Sequence, residues 1–175
     1  MVESSVGSVG QWVLLSYRLP REPSTPRITL WRRLRRLGVA QLGDGLVTLP
    51  ADARTREQLE WVAEEIVQAG GTAGVWLARP GSQAQERAIA AVLAEARAVE
   101  YFKLAAAAAD ALALPRGQQA RCLTRLRGHW REITRRDFFP PAQREQAAAA
   151  LQALTEAAPT VDHNVAGAGS PAVRS

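Results

Sequence analysis

The chain is poor in the residues that most often do chemistry. It has one cysteine, Cys122, which excludes an internal disulfide and a multi-cysteine metal site. Arg121 and Arg125 lie close to it, but Leu123 and Leu126 put it on a packed helix, the setting of an inert structural thiol. Histidine occurs twice, as His129 in a helical stretch and His163 near the carboxy terminus. So placed, the two build neither a metal site nor a Ser-His-Asp relay. No glycine-rich phosphate loop precedes a helix, because Gly70-Gly71 follows one and reads as its end. Glu64 and Glu65 are adjacent, so on a helix they point apart and make no facing acid/base pair. No apolar run approaches the ~20 residues of a membrane span. Met1 to Gly10 is short, polar and rich in Ser and Gly, which reads as a frayed leader and not as an export signal. The expectation is a cytoplasmic, non-enzymatic chain with no metal, no cofactor and no membrane contact.

Lysine is almost missing as well. The net charge of +5 rests on 21 arginines and a single lysine, Lys103. Part of that bias is what a GC-rich coding genome produces, so placement is more telling than number. Arg18 to Arg36 holds seven arginines and one acid, Glu22, and Arg116 to Arg136 holds seven and one acid, Glu132. Two separated basic clusters fit a footprint on a polyanion, and they equally fit two solvated helix faces.

The pattern between the clusters predicts the elements. Gln11 to Leu19 is apolar and β-favouring, a buried central strand stopped by Pro20 and Pro23. Thr25 as N-cap and Pro26 at the first position open a helix that ends at Gly38. On that helix Leu30, Trp31, Leu34 and Leu37 share an arc expected to be core, and Arg32, Arg33, Arg35 and Arg36 lie opposite. Val39–Leu42 and Leu46–Leu49 read as strands joined by a Gly43-Asp44-Gly45 hairpin turn. Thr55 to Gln58 reads as a capping box opening a helix with a stripe of Leu59, Val62, Ala63 and Ile66, and Thr72 to Ala78 as a last strand.

The order β-α-β-β-α-β over residues 11–80 predicts an α+β fold, a ferredoxin-like sandwich with two helices on one face of a four-stranded antiparallel sheet. Three helices are expected over 81–157 as an extension packed on it, with a disordered tail over 158–175. The first of them is capped by Ser82 with Gln85, and its expected buried face is Ile89, Val92, Leu93, Ala96, Val99 and Leu104. The next carries Leu123, Leu126, Trp130 and Ile133 on one side and arginines on the other, and runs into an Asp137-Phe138-Phe139-Pro140-Pro141 corner with two buried-looking aromatics.

Several of these stretches are diagnostic together. Tyr-Arg-Leu-Pro at 17–20, Trp-Arg-Arg-Leu at 31–34, Gln-Leu-Glu-Trp at 58–61 and Asp-Phe-Phe at 137–139 occur in an order that resembles the amino-terminal domain of the bacterial chromate-resistance regulators. The likeness covers Trp12 to about Leu154. It implies a DNA-binding, chromate-responsive transcription regulator acting on the promoter of a resistance operon. Full-length members carry a carboxy-terminal domain to which sensing is generally attributed. The expectation is therefore a chain acting alone or with a separate partner domain of that type. The same sheet unit is also similar to that of small ferredoxin-like nucleases, which carry an aspartate at the end of the first strand. Here that strand ends Tyr17-Arg18-Leu19-Pro20, so the likeness implies no nuclease site.

Three readings follow. In the first, Arg27, Arg32, Arg33, Arg35 and Arg36 contact DNA phosphates, and Arg121, Arg125, Arg127, Arg131 and Arg135 form a second cationic strip. In the second, the chain is a homodimeric protein-interaction module without DNA affinity, and the arginines are only solvated. In the third, Arg18 and Arg21, with Arg27 nearby, hold a tetrahedral oxyanion.

Overall fold

Strand β1 (Trp12–Arg18) sends Val13, Leu15 and Tyr17 to one side of the sheet and Trp12 and Leu14 to the other, and apolar groups cover both sides. That two-sided burial puts it in the middle. In a computed structural model describing residues 10–158, β1 is followed by α1 (Thr25–Leu37), β2 (Ala40–Gly43), β3 (Leu46–Pro50), α2 (Ala53–Gln68), β4 (Thr72–Ala78), α3 (Gln83–Ala111), α4 (Arg116–Thr134) and α5 (Gln143–Ala157). Most of the expected leader, the expected tail from Pro159 onward and His163 lie outside the described residues. The sheet order is β2-β3-β1-β4, antiparallel throughout, with Val13 opposite both Leu49 and Leu77. This is the ferredoxin-like arrangement with a helical extension. No helix among the described residues is long and apolar enough to cross a membrane.

The first face of the sheet carries α1 and α2. Leu30 and Leu34 from α1, and Leu59, Val62 and Ile66 from α2, close over Val13, Leu15, Val47 and Leu49. Two of the expected helix starts are corrected. Helix α1 begins after Ser24, with Thr25 inside it, and neither residue's side chain caps it. The capping box of α2 is Asp52 with Thr55, not Thr55 with Gln58: Asp52 Oδ1 accepts from the Thr55 N–H at 2.6 Å, and the Thr55 hydroxyl accepts from the Asp52 N–H at 3.0 Å. The box was misplaced because threonine serves here as the third helical residue and an aspartate as the cap. Ser82 does cap α3, but Gln85 Oε1 accepts from the N–H of Gly81 and not from that of Ser82.

The second face is covered by the first half of α3, where Ile89 and Leu93 pack on Trp12 and Ala40. The second half of α3 runs past the sheet and forms its own core with α4 and α5. Tyr101, Leu104, Ala108 and Ala111 meet Leu123, Leu126, Ile133, Ala147, Leu151 and Leu154. Alanine at 108 and 147 lets the helix backbones approach closely. Val92, Ala96 and Val99, expected in the buried stripe, are exposed. The stripe instead runs Leu93, Arg97, Tyr101, Leu104, with an arginine in phase with the core.

The Asp-Phe-Phe corner joins these parts. Phe138 packs into the core of the first face, and Phe139 stacks on Trp12 of the second at 6.0 Å between ring centroids. The side chain of Asp137 is fully buried. Its Oδ2 accepts the Tyr101 hydroxyl at 2.9 Å and lies 3.6 Å from Arg144, and its Oδ1 has no partner among the described residues. Burial pushes the Tyr101 phenol above its ordinary pKa, with Thr134 opposing the shift and Asp137 adding to it. Replacing Tyr101 by Phe removes the one hydroxyl donor of a buried carboxylate that already has an idle oxygen. The expected cost is about 1–3 kcal/mol in urea unfolding, and an unchanged midpoint would show that the pair carries no load.

Candidate nucleic-acid interface

Helix α1 divides its arginines among different surroundings. Arg33 is committed to Glu65 of α2 at 2.7 Å and is only partly exposed. Arg35 lies over the ring of Trp31, 4.7 Å from its centroid. Trp31 itself is 56% exposed, which overturns its expected place in the core. The helix buries Leu30 and Leu34 only, and position 31 falls at the edge of that narrow stripe, where a large ring finds an arginine and not a core to cover it. Arg27 and Arg32 face a groove on one flank of α1, and Arg36 faces a cleft on the other.

That cleft, about 550 Å³, is the feature that composition could not show. Arg35, Arg36, Arg54, Arg135 and Arg136 line it, with Glu100 and Glu132 as the acids and Gln58, Leu37 and Phe138 completing the wall. The carboxy-terminal ends of α1 and α4, far apart in the chain, converge here. Two arginines make the join. Arg54 Nη1 donates to the carbonyl of Arg135 at 2.9 Å, and Arg136 Nη1 donates to the carbonyl of Arg35 at 3.5 Å. Each places a cation at the negative end of a neighbouring helix. Arg54 also sits over Phe138 at 5.6 Å.

Beneath the cleft two arginines share one acid. Arg136 reaches both oxygens of Glu100, at 3.2 and 3.4 Å, and Arg97 Nε lies 3.2 Å from the same carboxylate. Arg97 is 4% exposed, and its Nη1 has no hydrogen-bond partner among the described residues. Burial lowers its pKa, and the carboxylate of Glu100 works against that shift. Its guanidinium lies where a Cβ on Gly38 would stand, and Gly38 also takes φ +74 to end α1. Sequence reasoning passed over Arg97. The available signal was a lone charge in step with Leu93 and Leu104.

The other predicted residues divide. Arg18, Arg27 and Arg32 come together along the groove of about 910 Å³, beside Tyr17, Trp31 and Asp44, whereas Arg21 is exposed in the bend before α1 and is not among its walls. Burial first, and then the charge of Asp44, raises the pKa of Tyr17 there. On α4 Arg121, Arg125, Arg127 and Arg131 are exposed, as is Arg135 at its C-cap. Arg121 donates to the Gly117 carbonyl, Arg125 to the Cys122 sulfur and Arg127 to the Thr155 hydroxyl. Of the five, only Arg135 reaches the cleft.

Residues 27–113 match the family described as protein ChrB, N-terminal. The chain carries a ChrB-type amino-terminal domain. Protein ChrB of Cupriavidus metallidurans is similar to it, 29% identical over 133 residues, which is 74% of this chain and 40% of that protein. The chain thus spans about two fifths of the curated relative it matches. No solved structure matches it. The ChrB-type match takes in α1, α2 and α3, three walls of the cleft, while the α4 wall with Arg135 and Arg136 lies past its end.

Glu100 is the acid on which this arrangement balances. Glu100→Gln leaves Arg97 buried without its main counter-charge, with only the weaker influence of Asp137 remaining, and should lower stability by about 3 kcal/mol. A thermal or urea melt within error of the parent would mean that Arg97 is compensated elsewhere.

Proposed function

We propose that this chain is a DNA-binding transcription regulator of the chromate-resistance type, and that its phosphate-contacting surface is the mouth of the α1–α4 cleft. The single observation that carries the reading is the convergence of two distant basic clusters on one cleft, two arginines from each and Arg54 beside them, against two glutamates. Arg36 and Arg135 are exposed, and their guanidiniums are held by no hydrogen bond or ion pair among the described residues. A planar guanidinium with both donor edges available suits bidentate contact with phosphate oxygens. Contacts of this kind position a protein on a duplex without reading bases.

The ChrB-type domain supports the regulatory half of the reading, together with the ordered motifs that resemble chromate-resistance regulators. The partner would be promoter DNA of a resistance operon. A carboxy-terminal-type domain, which the resemblance to chromate-resistance regulators implies, is a further candidate partner. Arg33 contributes less than the sequence suggested, because binding DNA would require it to leave Glu65.

A double charge reversal, Arg36→Glu with Arg135→Glu, should weaken retention of duplex DNA at moderate salt by tenfold or more. It should also reduce the slope of log K against log salt by about two. Circular dichroism should be unchanged, since both side chains are exposed. Equal retention by parent and variant at every salt concentration would end this assignment. A parent with no shift even at low salt would favour the interaction-module reading.

A further inference from the structure

We propose that two copies of this chain pair antiparallel along the outer face of α3, on a twofold axis at Val99. The proposal is independent of the nucleic-acid reading and names the face that a dimer would use.

Helix α3 buries one side only. Opposite Ile89, Leu93, Tyr101 and Leu104 lies a second stripe formed by Ala88, Val92, Ala96, Val99, Phe102 and Ala106, all exposed. Its large members are far from covered: Val92 is 52%, Val99 49% and Phe102 65% exposed. Spacings of four, four, three, three and four residues keep these positions on one face of a helix. From Ala88 to Ala106 the stripe is about 27 Å long at 1.5 Å per residue. An exposed face of that length, apolar but for two charges, calls for a partner.

The pattern of the stripe says which partner. It contains two charges, Glu95 and Lys103, placed four residues on either side of Val99, and Lys103 is the only lysine in the chain. Eight residues apart, about 12 Å along the axis, they are too distant to pair within one helix. A twofold axis at Val99 sets Glu95 against Lys103 of the partner subunit, and does so twice. The same axis places Val92 opposite the partner subunit's Ala106 and Ala96 opposite the partner subunit's Phe102, large against small in both cases. Charge and size are therefore self-complementary about one centre, as an isologous interface requires. A parallel pair would instead set Glu95 against Glu95 and Phe102 against Phe102, joining like charges and like bulk.

The test uses the full chain without DNA. Light scattering at high micromolar concentration should give twice the chain mass. Val99→Lys, which puts two like charges on the axis, should give the monomer with an unaltered far-ultraviolet spectrum. Glu95→Lys and Lys103→Glu should each weaken the dimer by roughly tenfold, and the two together should restore it. In a Cys122→Ser background, Val99→Cys should cross-link. Val92→Cys should not, because its twin lies about 21 Å away along the axis. A monomeric parent overturns the proposal. So does a double reversal that fails to restore the dimer, or cross-linking at position 92 equal to that at 99.

Discussion

The buried carboxylate of Asp137 is the contact on which the assembly of this molecule turns. A carboxyl group taken wholly out of water needs partners, and here Oδ2 meets the hydroxyl of Tyr101 on α3 and the guanidinium of Arg144 on α5. Meeting that demand brings the end of α4 to the flank of α3 and turns the chain between α4 and α5. The two phenylalanines that follow are then delivered to opposite faces of the sheet, one against the α1–α2 core and one against Trp12. The resulting corner connects a ferredoxin-like unit, which has its own core, to a three-helix cluster, which has another. It also fixes where Arg135 and Arg136 emerge, directly before it in the chain. The position of the cleft is a by-product of where the partners of one carboxylate oxygen lie.

Arginines around the cleft divide by duty. Arg54 and Arg136 hold helix-end carbonyls, and Arg97 with Arg136 holds Glu100. Arg36 and Arg135 have no such duty. Structural pairing lets many cations crowd into a small volume, since partly buried like charges would otherwise repel strongly. A simple count of arginines treats these groups as equal, and the geometry separates them.

Much of the sheet unit was legible because its signals are local. Strand β1 is a continuous β-favouring run, Gly45 sits at φ +70 in the hairpin turn, and Leu59, Val62 and Ile66 repeat at helical spacing. The strand order follows from β-α-β-β-α-β once the ferredoxin-like arrangement is chosen. What failed was the phase of amphipathic stripes where more than one face is apolar. Helix α3 has two such faces, and Val92 with Val99 looked as fit for the core as Leu93 with Leu104. The true face was marked by Arg97 and Tyr101, a charged and a polar residue that periodicity counts against burial. Trp31 failed for the opposite reason, since ring size argued for burial and only the narrow contact of α1 with the sheet left it outside. The clusters of arginine were visible in the chain, but their meeting was not, because it depends on the corner near Asp137.

Gly38 carries a consequence for how such a chain can change. It ends α1 with a left-handed residue, and the guanidinium of Arg97 occupies the space where a side chain would stand. Any other residue at 38 has to push the tip of Arg97 aside, and that shift would disturb its contact with Glu100, which also holds Arg136. A turn residue in the sheet unit and a charge in the extension are thus physically coupled. A change at either position is felt at the other, so the turn and the buried charge constrain each other.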